Sequence, residues 1–149
     1  MSLVLQVRRA ALVGLITCAG IAADDTVAPQ DQRVFRLEAF FKAYNCPGPL
    51  HINDYLHAAD ANQIDYRLLP AISLLETTCG SFERKNNHWG WDSPQKAFSS
   101  VSAGIQYIAT QLAEHPYYKG KTLEQKLLTY NPDRQYMTRV RRLMRQIEN

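Results

Sequence analysis

Apolar residues recur at three- and four-residue steps along most of this chain, and the places where the rhythm starts and stops divide it into helices. Val34, Leu37, Phe40, Phe41 and Tyr44 form one face of a first amphipathic helix, which Pro47 and Gly48 terminate. Ile52, Tyr55, Leu56 and Ala59 predict a second. Leu68, Leu69, Ile72 and Leu75 predict a third, with Asp65 as its N-cap and Pro70 near its start, where a missing backbone donor costs least. From Gly80 to Phe98 the periodicity disappears under Gly, Ser, Asn, Pro and aromatic residues, which predicts a loop or a short, poorly regular β-hairpin. Helical patterning returns with Val101, Ile105, Ile108 and Leu112 behind a serine-rich start. Thr122 and Gln125 have capping-box spacing ahead of Leu127 and Leu128, and Asp133 precedes a last helix with Tyr136, Val140, Leu143, Met144 and Ile147 on one face.

Composition adds scale to this pattern. With 149 residues, 46% of them hydrophobic, and charges of both signs, the chain is expected to form one compact domain. Its first segment reads differently from the rest. Arg8 and Arg9 precede an apolar stretch from Ala10 to Ala19, and Gly20, Ile21, Ala22 and Ala23 offer small residues for cleavage before Asp24. Residues 1–23 therefore read as a secretory signal and 24–149 as the mature domain, exported to a periplasm or secreted. The apolar stretch is short for a membrane anchor and is interrupted by Gly14, so no stable membrane span is expected after cleavage. A lipoprotein signal would use Cys18, but Thr17 stands where a small Gly or Ala belongs.

Without Cys18 an even pair remains, Cys46 and Cys79, both in turn-like contexts and in a chain bound for an oxidising compartment. They either pair or are two unrelated buried thiols. A disulfide would join the end of the first helix to the turn after Glu76, contributing about 3–4 kcal/mol by loop closure.

Glu76 is the chemically conspicuous residue. It ends an apolar helix, where a carboxylate opposes the helix dipole, and it is followed by the aromatic, amide-rich run Asn86, Asn87, His88, Trp89, Gly90 and Trp91. An acid held in such apolar surroundings keeps a proton to donate. Aromatic faces stack on pyranose rings and amides bond their hydroxyl and acetamido groups, so a sugar-acting site is the expectation. Tyr117, Tyr118 and Tyr130 lie at later helix boundaries. Trp89 and Trp91 each have a second reading, as plugs of a small core in the loop lobe.

The run from Ile64 to Thr77 resembles the catalytic helix of the lysozyme-like peptidoglycan hydrolases, in which an apolar helix ends in Glu followed by Ser or Thr. Asn86 to Trp91 resembles the "NN-x-x-G" segment of the bacterial endo-β-N-acetylglucosaminidase branch. Phe98 with Ser102 to Tyr107 is similar to its aromatic-then-helix stretch, and Thr129 to Tyr136 to its closing "Y-x-x-D-x-x-Y" or to the "YN" of lytic transglycosylases. The likeness runs from about Phe35 to Ile147. It implies an α+β, predominantly helical, lysozyme-like fold with a small loop-rich or β-hairpin lobe, and cleavage of the N-acetylglucosamine and N-acetylmuramic acid glycan strands of peptidoglycan. By the same resemblance Glu76 is the general acid and Tyr130 the active-site tyrosine, while Asn86, Asn87, Trp89, Trp91 and Tyr107 meet substrate. The "G-A-x-G-L-M-Q" segment of lytic transglycosylases is absent.

Glycosidases ordinarily use two carboxylates. Asp92 and Glu83 are the acids in the lobe, and either is a candidate to assist Glu76; the alternative is attack by the substrate's acetamido group or by water. A transglycosylase, closing a 1,6-anhydro ring, and a non-catalytic sugar-binding module are the other functional expectations. His51, His57, His88 and His115 show no paired ligand spacing, so no metal and no cofactor is expected. Arg134, Arg139, Arg141, Arg142 and Arg145 read as a solvated basic face of the last helix. A net charge of +3 gives no support to a nucleic-acid partner. A monomer is expected.

Overall fold

The computed structural model describes residues 30–83, 85–92 and 95–148. The segment 1–23 read as an export signal, including Cys18, lies outside the described residues. Helices are α1 (Gln32–Ala43), α2 (Ile52–Asn62), α3 (Leu68–Thr77), α4 (Val101–Glu114), α5 (Leu123–Tyr130) and α6 (Arg134–Gln146). Among the described residues there is no strand, and the described residues between α3 and α4 are turns and loop.

Side-chain caps start most of these helices. The Asp31 carboxylate accepts from Arg33 N at 2.9 Å, Ser100 Oγ from Ala103 N at 3.1 Å and Asp133 from Gln135 N at 2.8 Å. The Thr122–Gln125 capping box closes in both directions. Asp65 corrects the expectation for α3. It sits ahead of a turn, accepting from Arg67 N at 3.0 Å and holding the Arg67 guanidinium, and Arg67 occupies the cap position without a side-chain cap.

α3 is the centre of the molecule. A helix apolar on one stripe can lie on a surface, whereas one buried on every side must be surrounded. Leu68 through Leu74 are buried without interruption, and Ser73 satisfies its hydroxyl by donating to the Pro70 carbonyl at 2.9 Å. α6 packs on α3 and α5, while α2 packs on α1 and α4. Polar links tie the outer helices: Ser102 Oγ donates to the Asp54 carboxylate at 2.5 Å, and Tyr44 donates to Gln146 Oε1 at 2.6 Å. Among the described residues no helix is long and apolar enough to cross a membrane.

Cys46 and Cys79 are joined, with Cα atoms 5.5 Å apart. The bridge holds the chain after α1 against the turn that ends α3. Its span is 33 residues. Replacing both cysteines by serine is expected to lower the unfolding free energy by about 3–4 kcal/mol. A urea midpoint equal to that of the parent would show that the bridge adds nothing.

Candidate functional site

The site grows from the C-terminus of α3. Thr78 ends the helix in a left-handed conformation and Cys79 continues it, at φ 51° and 56°. A β-branched residue there is strained by about 1–3 kcal/mol. Two restraints hold the turn: the disulfide, and Thr77 Oγ1, which accepts from Gly80 N and donates to the His88 carbonyl, both at 2.8 Å. The second of these bonds joins the end of α3 to the loop that follows. Glu76, one residue earlier, is exposed. The apolar enclosure expected around it is not formed by this chain alone.

The loop is braced from within. Glu83 accepts from Lys85 N at 2.7 Å and Asn87 N at 2.8 Å, and lies 3.6 Å from His88 Nε2. Burial pushes the His88 imidazole below its ordinary value, against the pull of Glu83. Asn87 is buried. Its amide nitrogen donates to the Trp91 and Lys96 carbonyls and its oxygen accepts from Trp91 N at 3.0 Å. Asn86 donates to the Phe98 carbonyl at 3.0 Å. Both asparagines thus satisfy loop backbone that would otherwise be orphaned, Asn87 from a buried position and Asn86 from a half-buried one. Glu83 is likewise occupied by the loop.

Trp89 and Trp91 part company. Trp89 is fully buried and donates to the Leu69 carbonyl at 3.1 Å, so it is the plug that fastens the loop to α3. Gly104 of α4 permits this approach. A Cβ there would stand 2.8 Å from the Trp89 ring and 2.9 Å from Phe98. Trp91 instead lines an open groove of about 390 Å³ with Gly90, Asp92, Tyr107, Gln111, His115, Tyr117, Tyr118 and Tyr130. Tyr107 and Gln111 of α4, one helical turn apart, and His115, the residue that caps its C-terminus, form one wall. Trp91 meets Tyr118, Tyr130 and Tyr107 at centroid distances of 5.7, 5.6 and 6.5 Å.

Glu76 reaches this groove through Gly90. At φ 62° Gly90 leaves its side open, and a Cβ there would lie 3.2 Å from Glu76 Oε2. The carboxylate thus rests beside the groove floor. Tyr130 and Tyr136 lie within reach of its charge, with their rings stacked at 6.1 Å and only 9° from parallel. Tyr130 donates to the Trp89 carbonyl. Tyr136 Oη is buried against Glu76 without closing a hydrogen bond of good geometry. Burial first, then the Glu76 charge, holds the Tyr130 phenol well above its ordinary range. Burial, Tyr130 and Glu76 do the same for Tyr136, so both remain neutral donors.

Of the predicted residues, the structure brings together Glu76, Tyr130, Trp91, Tyr107 and Asp92, buries Asn87 and Trp89, and bonds the half-buried Asn86 and Glu83 to loop backbone. Tyr136, Gln111 and His115 were not singled out from the sequence as site residues. Tyr136 reads as core on its helix face but also closes the "Y-x-x-D-x-x-Y" segment, and the four-residue spacing of Tyr107, Gln111 and His115 was available too. Among the described residues no cluster of three or more His, Cys, Asp or Glu could hold a metal ion. Comparison with protein-family models, with curated proteins and with solved structures finds no match.

Proposed function

We propose that this protein is a lysozyme-like glycosidase that cleaves the N-acetylglucosamine and N-acetylmuramic acid glycan strands of peptidoglycan, with Glu76 as general acid. The observation that carries the reading is the position of the Glu76 carboxylate against Gly90, beside an open aromatic groove and backed by two neutral phenols. Trp91 and the groove tyrosines offer ring faces for sugar stacking, and Gln111, His115 and Asp92 offer polar edges. A helical domain with a loop lobe inserted just after the acid supports the lysozyme-like arrangement, and the disulfide supports an exported protein.

Exposure of Glu76 in the free chain gives substrate a role. A sugar laid over Gly90 removes water from the carboxylate, and proton donation to the glycosidic oxygen then occurs in a drier setting than the empty groove provides. Glu83 is tied to loop amides, so Asp92 is the groove carboxylate available to activate water. The substrate acetamido group is the other source of the attacking oxygen.

Mass spectrometry of purified peptidoglycan after digestion tests this. Reducing N-acetylglucosamine ends are expected. Anhydromuramic ends would replace hydrolysis by transglycosylation, with Glu76 returning as base. Binding without new chain ends would reduce the protein to a sugar-binding module.

A further inference from the structure

The groove carries two carboxylates at or beside its surface, Asp92 and Glu76, and a cation stands over one of its walls. Lys96 Nζ lies 4.2 Å from the centroid of Tyr107, a groove residue, and 5.6 Å from that of Phe98. Its backbone is pinned, because the Lys96 carbonyl accepts from the buried Asn87 amide at 3.3 Å. Tyr107 is itself held between Phe98 and Trp91, at 5.5 and 6.5 Å. Among the described residues no carboxylate pairs with Lys96. An ammonium has three donors, and an aromatic face engages only one side of it. Its other donors are left without an acid to meet them among the described residues.

We propose that Lys96 is the specificity-determining residue of the groove and that it receives a carboxylate of the substrate, selecting an acidic glycan over a neutral one of the same length. This rests on the reading of the groove as a glycan site. Neutral N-acetylglucosamine chains satisfy the aromatic wall but leave the ammonium unpaired. A glycan with a carboxylate near Tyr107 neutralises it, and its charge is drawn toward Lys96 and away from Asp92 and Glu76. The same carboxylate chemistry comes from two sources: the free lactyl group of N-acetylmuramic acid, or the acids of an attached peptide.

Groove binding is measured by titrating the mature protein, with tryptophan fluorescence as the signal, against three probes. These are neutral chitin oligosaccharides, peptide-free oligosaccharides containing muramic acid, and the same oligosaccharides with their peptides. Lys96→Met keeps an unbranched stem over Tyr107 and removes the charge; Lys96→Arg keeps the charge. The methionine variant is expected to bind the acidic probes about tenfold more weakly and the neutral probe unchanged, with the arginine variant near the parent and added salt narrowing the gap. A loss confined to the peptide-free probe assigns the lactyl carboxylate, and one confined to the peptide-bearing probe assigns the peptide. If all three probes bind and the methionine variant treats them alike, the role of Lys96 is overturned while the glycan reading stands. If the parent protein binds none of them, both fall together.

Discussion

Glu76→Gln is expected to reduce peptidoglycan cleavage by about 10²- to 10⁴-fold, the range over which a positioned general acid acts. Stability is expected to stay within about 0.5 kcal/mol of the parent, because the side chain is exposed and the substitution nearly isosteric. The two readouts separate chemistry from architecture. A carboxylate retained for structure would be buried, capped or paired, and Glu76 is none of these: it is exposed, stands at the negative end of α3, and forms none of the ion pairs among the described residues. Its surroundings leave it open to substrate, because Gly90 keeps the approach to its Oε2 clear. Asp92→Asn in the same assay reports on attack: a comparable loss makes Asp92 the base, and a small one leaves the substrate acetamido group in that role. Should Glu76→Gln digest peptidoglycan at the parent rate, the assignment of the acid is wrong.

Trp89→Ala is expected to cost about 3–5 kcal/mol, as for large aromatic truncations in a packed interior. Two effects add at this position. The fully buried ring fills the space between α3 and α4, where Gly104 allows the closest approach, and the indole N–H satisfies the Leu69 carbonyl. Truncation leaves a cavity and removes that donor together. Activity should fall with stability, since the His88 to Trp91 segment that brings Gly90 to Glu76 depends on the same anchor. Trp91→Ala is the contrasting variant. Its ring is only partly buried at the groove, so glycan affinity should drop far more than the melting temperature. A Trp89→Ala protein with the parent's denaturation midpoint would show that the loop is fastened elsewhere.

The helices were legible because helix signals are local. Asp31, Ser100, Thr122 and Asp133 each bond a backbone N–H two or three residues ahead, and the apolar spacing on α1, α4 and α6 marks the buried side. Where a start depends on a turn, locality fails by a few residues: Asp65 organises the Tyr66–Arg67 turn rather than capping α3 directly. In the loop the ambiguity is of another kind. A sugar site and a self-braced loop call for the same residue types, amides and aromatics, and no spacing rule tells them apart. Asn87 meets three backbone groups of its own loop, and nothing in its neighbours' identity announces that.

By itself the sequence determined the helical order, the interruption after α3, the identity of the two cysteines available to pair outside the first segment, and the placing of a lone carboxylate at the end of an apolar helix. Each follows from composition or from contacts a few residues long. Only the tertiary structure decided that Trp89 is core and Trp91 is groove, that Tyr136 belongs beside Glu76 as well as in the core of α6, and that Lys96 stands over Tyr107. The physical reason is that periodicity records which side of a segment avoids water, while the partner met on that side is set by packing between segments distant in the chain.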